Sequence, residues 1–66
     1  MGKPEYINRR QKELLLELKK PELEKDDESR LVVLNELGNL YFMAGNIDQA
    51  ALKMRETADL QEKLKD

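Results

Sequence analysis

The sequence predicts an all-α protein, a three-helix array in which a helical hairpin follows a leading N-terminal helix. Three observations carry this. Apolar residues recur at helical spacing along three segments, and no stretch alternates with the two-residue period of a strand. Pro21 and the pair Gly45-Asn46 separate those segments. Each segment opens on residues suited to a helix start: Pro4, then Asp26, Asp27 or Ser29, then Asn46. At 66 residues the chain is one domain, 1–66.

The leading helix is expected over 5–20. Pro4 opens it, because the N–H that proline lacks is not needed in the first turn. At about 100° per residue, Ile7, Leu14, Leu15 and Leu18 share one face with Gln11 between them, while Tyr6 and Leu16 fall off it. Lys19 and Lys20 suit the negative end of the helix. The ring of Pro21 then clashes with the Glu17 carbonyl, so the helix stops or kinks there. The acidic stretch 22–28 carries Leu23 as its one apolar residue and reads as one loose helical turn or a loop, the short turn being favoured.

The second helix is expected over 27–44. Asp26, Asp27 or Ser29 caps it, and Glu28 suits its positive end. Its apolar residues cover most of the circumference: Leu31, Val33, Leu34, Leu37, Leu40, Tyr41, Phe42 and Ala44. The one polar arc holds Asn35, Glu36 and Asn39, and is interrupted by Val32 and Met43. A helix apolar nearly all round needs cover nearly all round, so this one requires a neighbour on each side. Gly45 supplies the left-handed residue that ends it. Asn46 caps the third helix, expected over 47–64, with Gln49 as capping-box partner. Ile47, Ala50, Ala51, Met54 and Ala58 form its tight packing face, and Gly38 offers the opposing notch. Leu52, Leu60 and Leu64 lie outside that face and are candidates for self-association.

Composition excludes more chemistry than it offers. Apolar and charged residues each make up 39% of the chain, so the core is thin and the surface dense in charge. Net charge is −2, with both signs interspersed, which leaves no basic field for nucleic acid or an anionic membrane. There is no cysteine and no histidine, which removes the commonest metal ligands and the commonest general base together. Ser29 has no base to activate it, and Glu13 and Glu17 share a face with nothing to form a cleft. Enzyme activity and a cofactor are therefore not expected. No apolar run approaches the roughly 20 residues of a membrane helix, and the opening MGKPEY has no signal-peptide core. Gly2 would invite N-myristoylation, but position 6 is Tyr. An intracellular, cytoplasmic protein is the expectation.

The hairpin segment LNELGNLYFMAGNIDQAALKM resembles the tetratricopeptide repeat. The resemblance rests on Leu34, Leu37-Gly38, Tyr41, Gly45, Ala50 and Met54 at the family's spacing, over about half the chain. Leu34 stands where the family has Trp, Met54 where it has an aromatic, Thr57 where a small Ala is usual and Glu62 where Pro closes the repeat. The resemblance implies one repeat preceded by a helix in the place of an earlier repeat's second helix. It further implies that the first helix of the pair binds a protein or peptide partner through Val32, Asn35, Asn39, Phe42 and Met43. Asn39 matches the asparagine that holds a peptide carboxylate in chaperone-binding members, but the lysine that accompanies it is Asn35 here, so Asn39 reads as a solvated groove residue. Phe42 and Met43 serve either burial on the leading helix or contact with a partner. Because such repeats need neighbours, the alternative is a homo-oligomer or a minimised, designed element with no separate ligand. The runs Asp26-Asp27-Glu28 and Arg9-Arg10-Lys12 read as solvated helix surface.

Overall fold

Four helices follow one another: α1 (Lys3–Leu18), α2 (Pro21–Lys25), α3 (Asp27–Met43) and α4 (Ile47–Lys65). The structure is a computed structural model and describes residues 3–65, with side chains from Glu5 onward. Gly2 lies outside the described residues. Among those described there is no strand, and the protein is an all-α helical array.

The apolar stripe of α1 behaves as its spacing requires. Leu14 is buried, Ile7, Leu15 and Leu18 pack beside it, and Tyr6 and Leu16 remain exposed. The helix ends at Leu18 rather than Lys20. Lys20 precedes a proline and takes the extended backbone that such residues favour, with ψ at 134°. Pro21 then occupies the first turn of α2, where its missing N–H costs nothing. The expected short turn is thus a helix of its own, and the array has four helices instead of three.

Asp26 caps α3. Its carboxylate accepts from the Ser29 backbone N–H at 3.2 Å and from the Ser29 hydroxyl at 2.8 Å. These bonds, the hydroxyl's first, hold the Asp26 carboxyl below its ordinary value. A carboxyl lowered by folding stabilises the fold fully above its unfolded pKa of about 3.9. That contribution is lost as pH falls through the lower folded value. An acid titration followed by circular dichroism is therefore expected to show helix loss beginning near pH ~4. Asp26→Asn, which keeps the acceptor oxygen without titrating, is expected to flatten that part of the curve. An unchanged acid profile in Asp26→Asn would show that the cap does not contribute to it.

The α3–α4 turn is closed by backbone alone. Gly45 sits at φ 83°, the Asn46 N–H donates to Tyr41 O at 2.8 Å and the Gly45 N–H to Phe42 O at 3.0 Å. This paired arrangement needs a left-handed residue between helix and loop, and glycine takes that conformation without a Cβ penalty. Asn46 Oδ1 faces the Gln49 N–H at a long 3.5 Å, so the expected cap on α4 is present but weak.

α3 lies in the middle. α1 and α4 both pack against it, and among the described residues their backbones do not approach each other closely. One half of the core joins Leu14 to Val33, Leu37 and Leu40, with Leu37 wholly buried. The other half is the α3–α4 seam, where Ala50, Thr57 and Leu60 of α4 are buried. This corrects the expected packing face of α4. The seam runs Ala50, Lys53, Thr57, Leu60, about one residue's step (~100°) round the helix from Ile47, Ala51, Met54 and Ala58. The reason lies in two residues that a polarity wheel misreads. The stem of Lys53 lies in the seam, its side chain 18% exposed, while its amine reaches out to Glu56 at 3.5 Å. The Thr57 hydroxyl donates to Lys53 O at 2.8 Å, which satisfies it inside its own helix.

Gly38 meets α4 where the notch was expected. The nearest atoms to a Cβ built there all belong to the Met54 side chain, the closest at 2.6 Å, so a flexible thioether fills the notch. Leu60 was expected as a surface contact for self-association, but it is 6% exposed and belongs to the seam.

Candidate functional site

The expectation that α3 is covered nearly all round is not met. One flank stays bare to solvent along its length. It carries Val32, Asn35, Asn39, Phe42 and Met43, and Val32, Phe42 and Met43 are 60–66% exposed. These are the residues the sequence singled out for partner binding, and they share one flank because residues three and four apart stack along a helix. Phe42 and Met43 are thus not buried on the leading helix.

The rotation of α4 extends this surface. Ile47 and Ala51, outside the seam, are exposed beside Phe42, and Met54, whose thioether covers Gly38, is about a third exposed next to them. Between α3 and α4 they enclose a shallow hollow of about 220 Å³. Buried Gly38 and Ala50 form its floor, and Asn39, Phe42, Ile47, Ala51 and Met54 its walls. No charged side chain lines it, in a chain of which 39% is charged. Three other hollows are larger and differ in kind. One, of about 420 Å³, is walled by Leu18, Glu24, Arg30, Leu34 and Glu56. Another, of about 450 Å³, lies along α4 by Ala58, Gln61, Glu62 and Lys65. The third, of about 340 Å³ between α1 and α3, includes Arg10, Glu13, Glu17 and Glu36. Absence of charge, rather than size, sets the α3–α4 hollow apart, and desolvating it carries no ionic penalty.

No family model, curated protein or solved structure matches the chain. The function must therefore be argued from this geometry.

The charged clusters are occupied structurally. Arg10 leaves its basic group to pair with Glu36 across α1 and α3. Its Nε and Nη2 donate to the two carboxylate oxygens at 2.7 and 3.2 Å, and Nη1 donates to Glu13 at 3.0 Å. The bond to Glu36 above all, then that to Glu13, raises the guanidinium above its ordinary pKa. Nothing local in the sequence joins positions 10 and 36, so no pattern could have found this pair. In the acidic run, Asp26 caps α3 while Asp27 meets Arg30 at 3.6 Å and Lys63 at 3.4 Å. Among the described residues, no three His, Cys, Asp or Glu side chains gather as metal ligands. No helix among them is long and apolar enough to cross a membrane.

Leu52, Leu60 and Leu64 do not form one surface. Leu60 is in the seam, Leu64 continues the direction of that seam at 40% exposure, and Leu52 points away from it at 52%. The 50/53/57/60 spacing, repeating three and four, was the signal for this in the sequence.

Proposed function

We propose that the chain is a tetratricopeptide-type interaction module that takes a helix or extended peptide of a protein partner against the bare flank of α3. The observation that carries the reading is that Phe42, Ile47 and Met54 line one uncharged hollow, with Val32 and Met43 exposed on the same flank of α3. A small thin-cored protein does not usually leave so many large apolar side chains on one side without something to meet them. Asn35 and Asn39 supply amide donors and acceptors along the same flank, suited to peptide backbone. Support for the repeat reading comes from the burial of Leu34, Leu37, Gly38 and Ala50, from Met54 over Gly38, and from the left-handed Gly45 between the helices. The packing of α1 on α3 also fits a preceding helix of an array.

The test is selection from a displayed library of amphipathic helical and extended peptides. Wild-type protein is expected to enrich binders that Phe42→Glu loses by tenfold or more in affinity, since burying a large apolar side chain contributes about 1.5–3 kcal/mol. Phe42 is exposed, so circular dichroism of the variant should match the wild type. Binders that ignore Phe42→Glu, or a library that yields none, would overturn the reading.

A further inference from the structure

We propose that Met54 is an oxidation site, and that its conversion to the sulfoxide by a peroxide loosens the α3–α4 hairpin. The inference is independent of what the α3 flank binds. The chain has no cysteine, so its oxidisable sulfur is methionine. Met43 and Met54 are the methionines whose side chains the structure describes, and both reach water, at 60% and 36% exposure. They differ in what they hold together. Met43 stands at the end of α3 with most of its surface in solvent. Met54 is wedged against buried Gly38, in the interior of α3. A Cβ at Gly38 would lie 2.6 Å from Met54 Cε, 3.2 Å from Sδ and 3.3 Å from Cγ. The thioether thus fills the space that a side chain at position 38 would otherwise take, and the same residue lines the open hollow of about 220 Å³. Its sulfur is part of the packing and within reach of a small oxidant.

The step is an oxygen transfer. A lone pair on Sδ attacks one peroxide oxygen, and the S–O bond forms as the O–O bond breaks. The proton on the transferred oxygen passes to the departing hydroxide, which leaves as water. Sulfur gives up an electron pair and the peroxide takes it. The product carries a polar S–O group where the thioether was apolar. Inside the notch that oxygen meets no donor. The Gly38 N–H lies within α3 and is committed to the helix, and the adjoining floor is Ala50. Of the side chains lining the hollow, Asn39 alone offers an N–H, and Asn39 is exposed. The oxygen is satisfied by swinging outward, to water or to Asn39, and this draws Cε off Gly38. The seam then loses its cover over Gly38 and Ala50, and a close-packed contact is lost outright.

Hydrogen peroxide applied to the full chain tests this. Mass spectrometry locates the added oxygen, and circular dichroism follows thermal unfolding. Oxygen is expected on both Met43 and Met54, with the thermal midpoint lowered by about 4 °C or more. Met54→Leu keeps most of the side-chain volume and cannot take the oxygen. Its midpoint is expected to hold through the same treatment, although Met43 still oxidises. Met43→Leu is expected to drop as the wild type does. Methionine sulfoxide reductases, one for each epimer, are expected to restore the wild-type midpoint. A wild type oxidised at Met54 whose midpoint stays put overturns the inference, as does a Met54→Leu protein that loses as much. Met54 left unmodified while Met43 is oxidised would show a shielded sulfur, and overturns it too.

Discussion

Leu37→Ala is expected to unfold most of the protein. Leu37 has 0% exposure, and replacing such a leucine by alanine costs about 2–5 kcal/mol through lost burial and the cavity left behind. A chain of this size holds a total margin of only about 3–5 kcal/mol. The substitution therefore removes half or more of the stability. With a urea slope near the low end of about 1–3 kcal/mol/M, the midpoint should fall by about 2 M, or the folded baseline should vanish. The side chain sits in the cluster with Leu14, Val33 and Leu40 at the middle of the central helix. A midpoint within error of the wild type would mean that the core is not centred on α3.

The second large effect is expected at Leu14, and it should be local. Among the described side chains of α1, Leu14 is the buried one, at 3% exposure, with Ile7, Leu15 and Leu18 only partly covered. Among the described residues, the backbone of α1 closely approaches those of α2 and α3 but not that of α4. Leu14→Ala should therefore loosen α1 by a similar ~2–5 kcal/mol while the α3–α4 hairpin keeps its own seam of Ala50, Thr57 and Leu60. Amide hydrogen exchange reads this directly. Amides of α1 should exchange roughly thirtyfold faster or more, with a smaller change in α4, as sub-global opening allows. An equal acceleration in α1, α3 and α4 would show that the array opens only as a single unit. The Arg10–Glu36 pair spans the same α1–α3 contact, but it is about a third exposed and open to screening, so Leu14 decides the outcome.

These two effects rest on parts of the molecule that differ in how legible they were. The stripe of α1 was readable because four apolar residues share a face with no apolar rival beyond Tyr6 and Leu16. The turn at Gly45-Asn46 was readable because one left-handed residue is a local requirement. The candidate face was half legible. Val32, Asn35, Asn39, Phe42 and Met43 were implied by the resemblance to the repeat family, and all are exposed together. Ile47, Ala50, Ala51, Met54 and Ala58 were read as the buried side of α4; Ala50 is buried and Met54 covers Gly38, while Ile47, Ala51 and Ala58 are exposed. Polarity alone could not reveal that Lys53 buries its stem or that Thr57 satisfies its hydroxyl on its own helix.

The sequence by itself determined that the long helices are separated near Pro21 and at Gly45-Asn46. Caps, Pro21 and Gly45 act within a turn or two of chain, on bonds that each residue's neighbours complete. Only the tertiary structure decided the rotation of α4 on α3, the filling of Gly38 by Met54, the reach of Arg10 to Glu36, and therefore which side of the hairpin is left open. Those choices depend on summed contacts between residues far apart in sequence, and a helix can turn by one residue's step without altering any of its own hydrogen bonds.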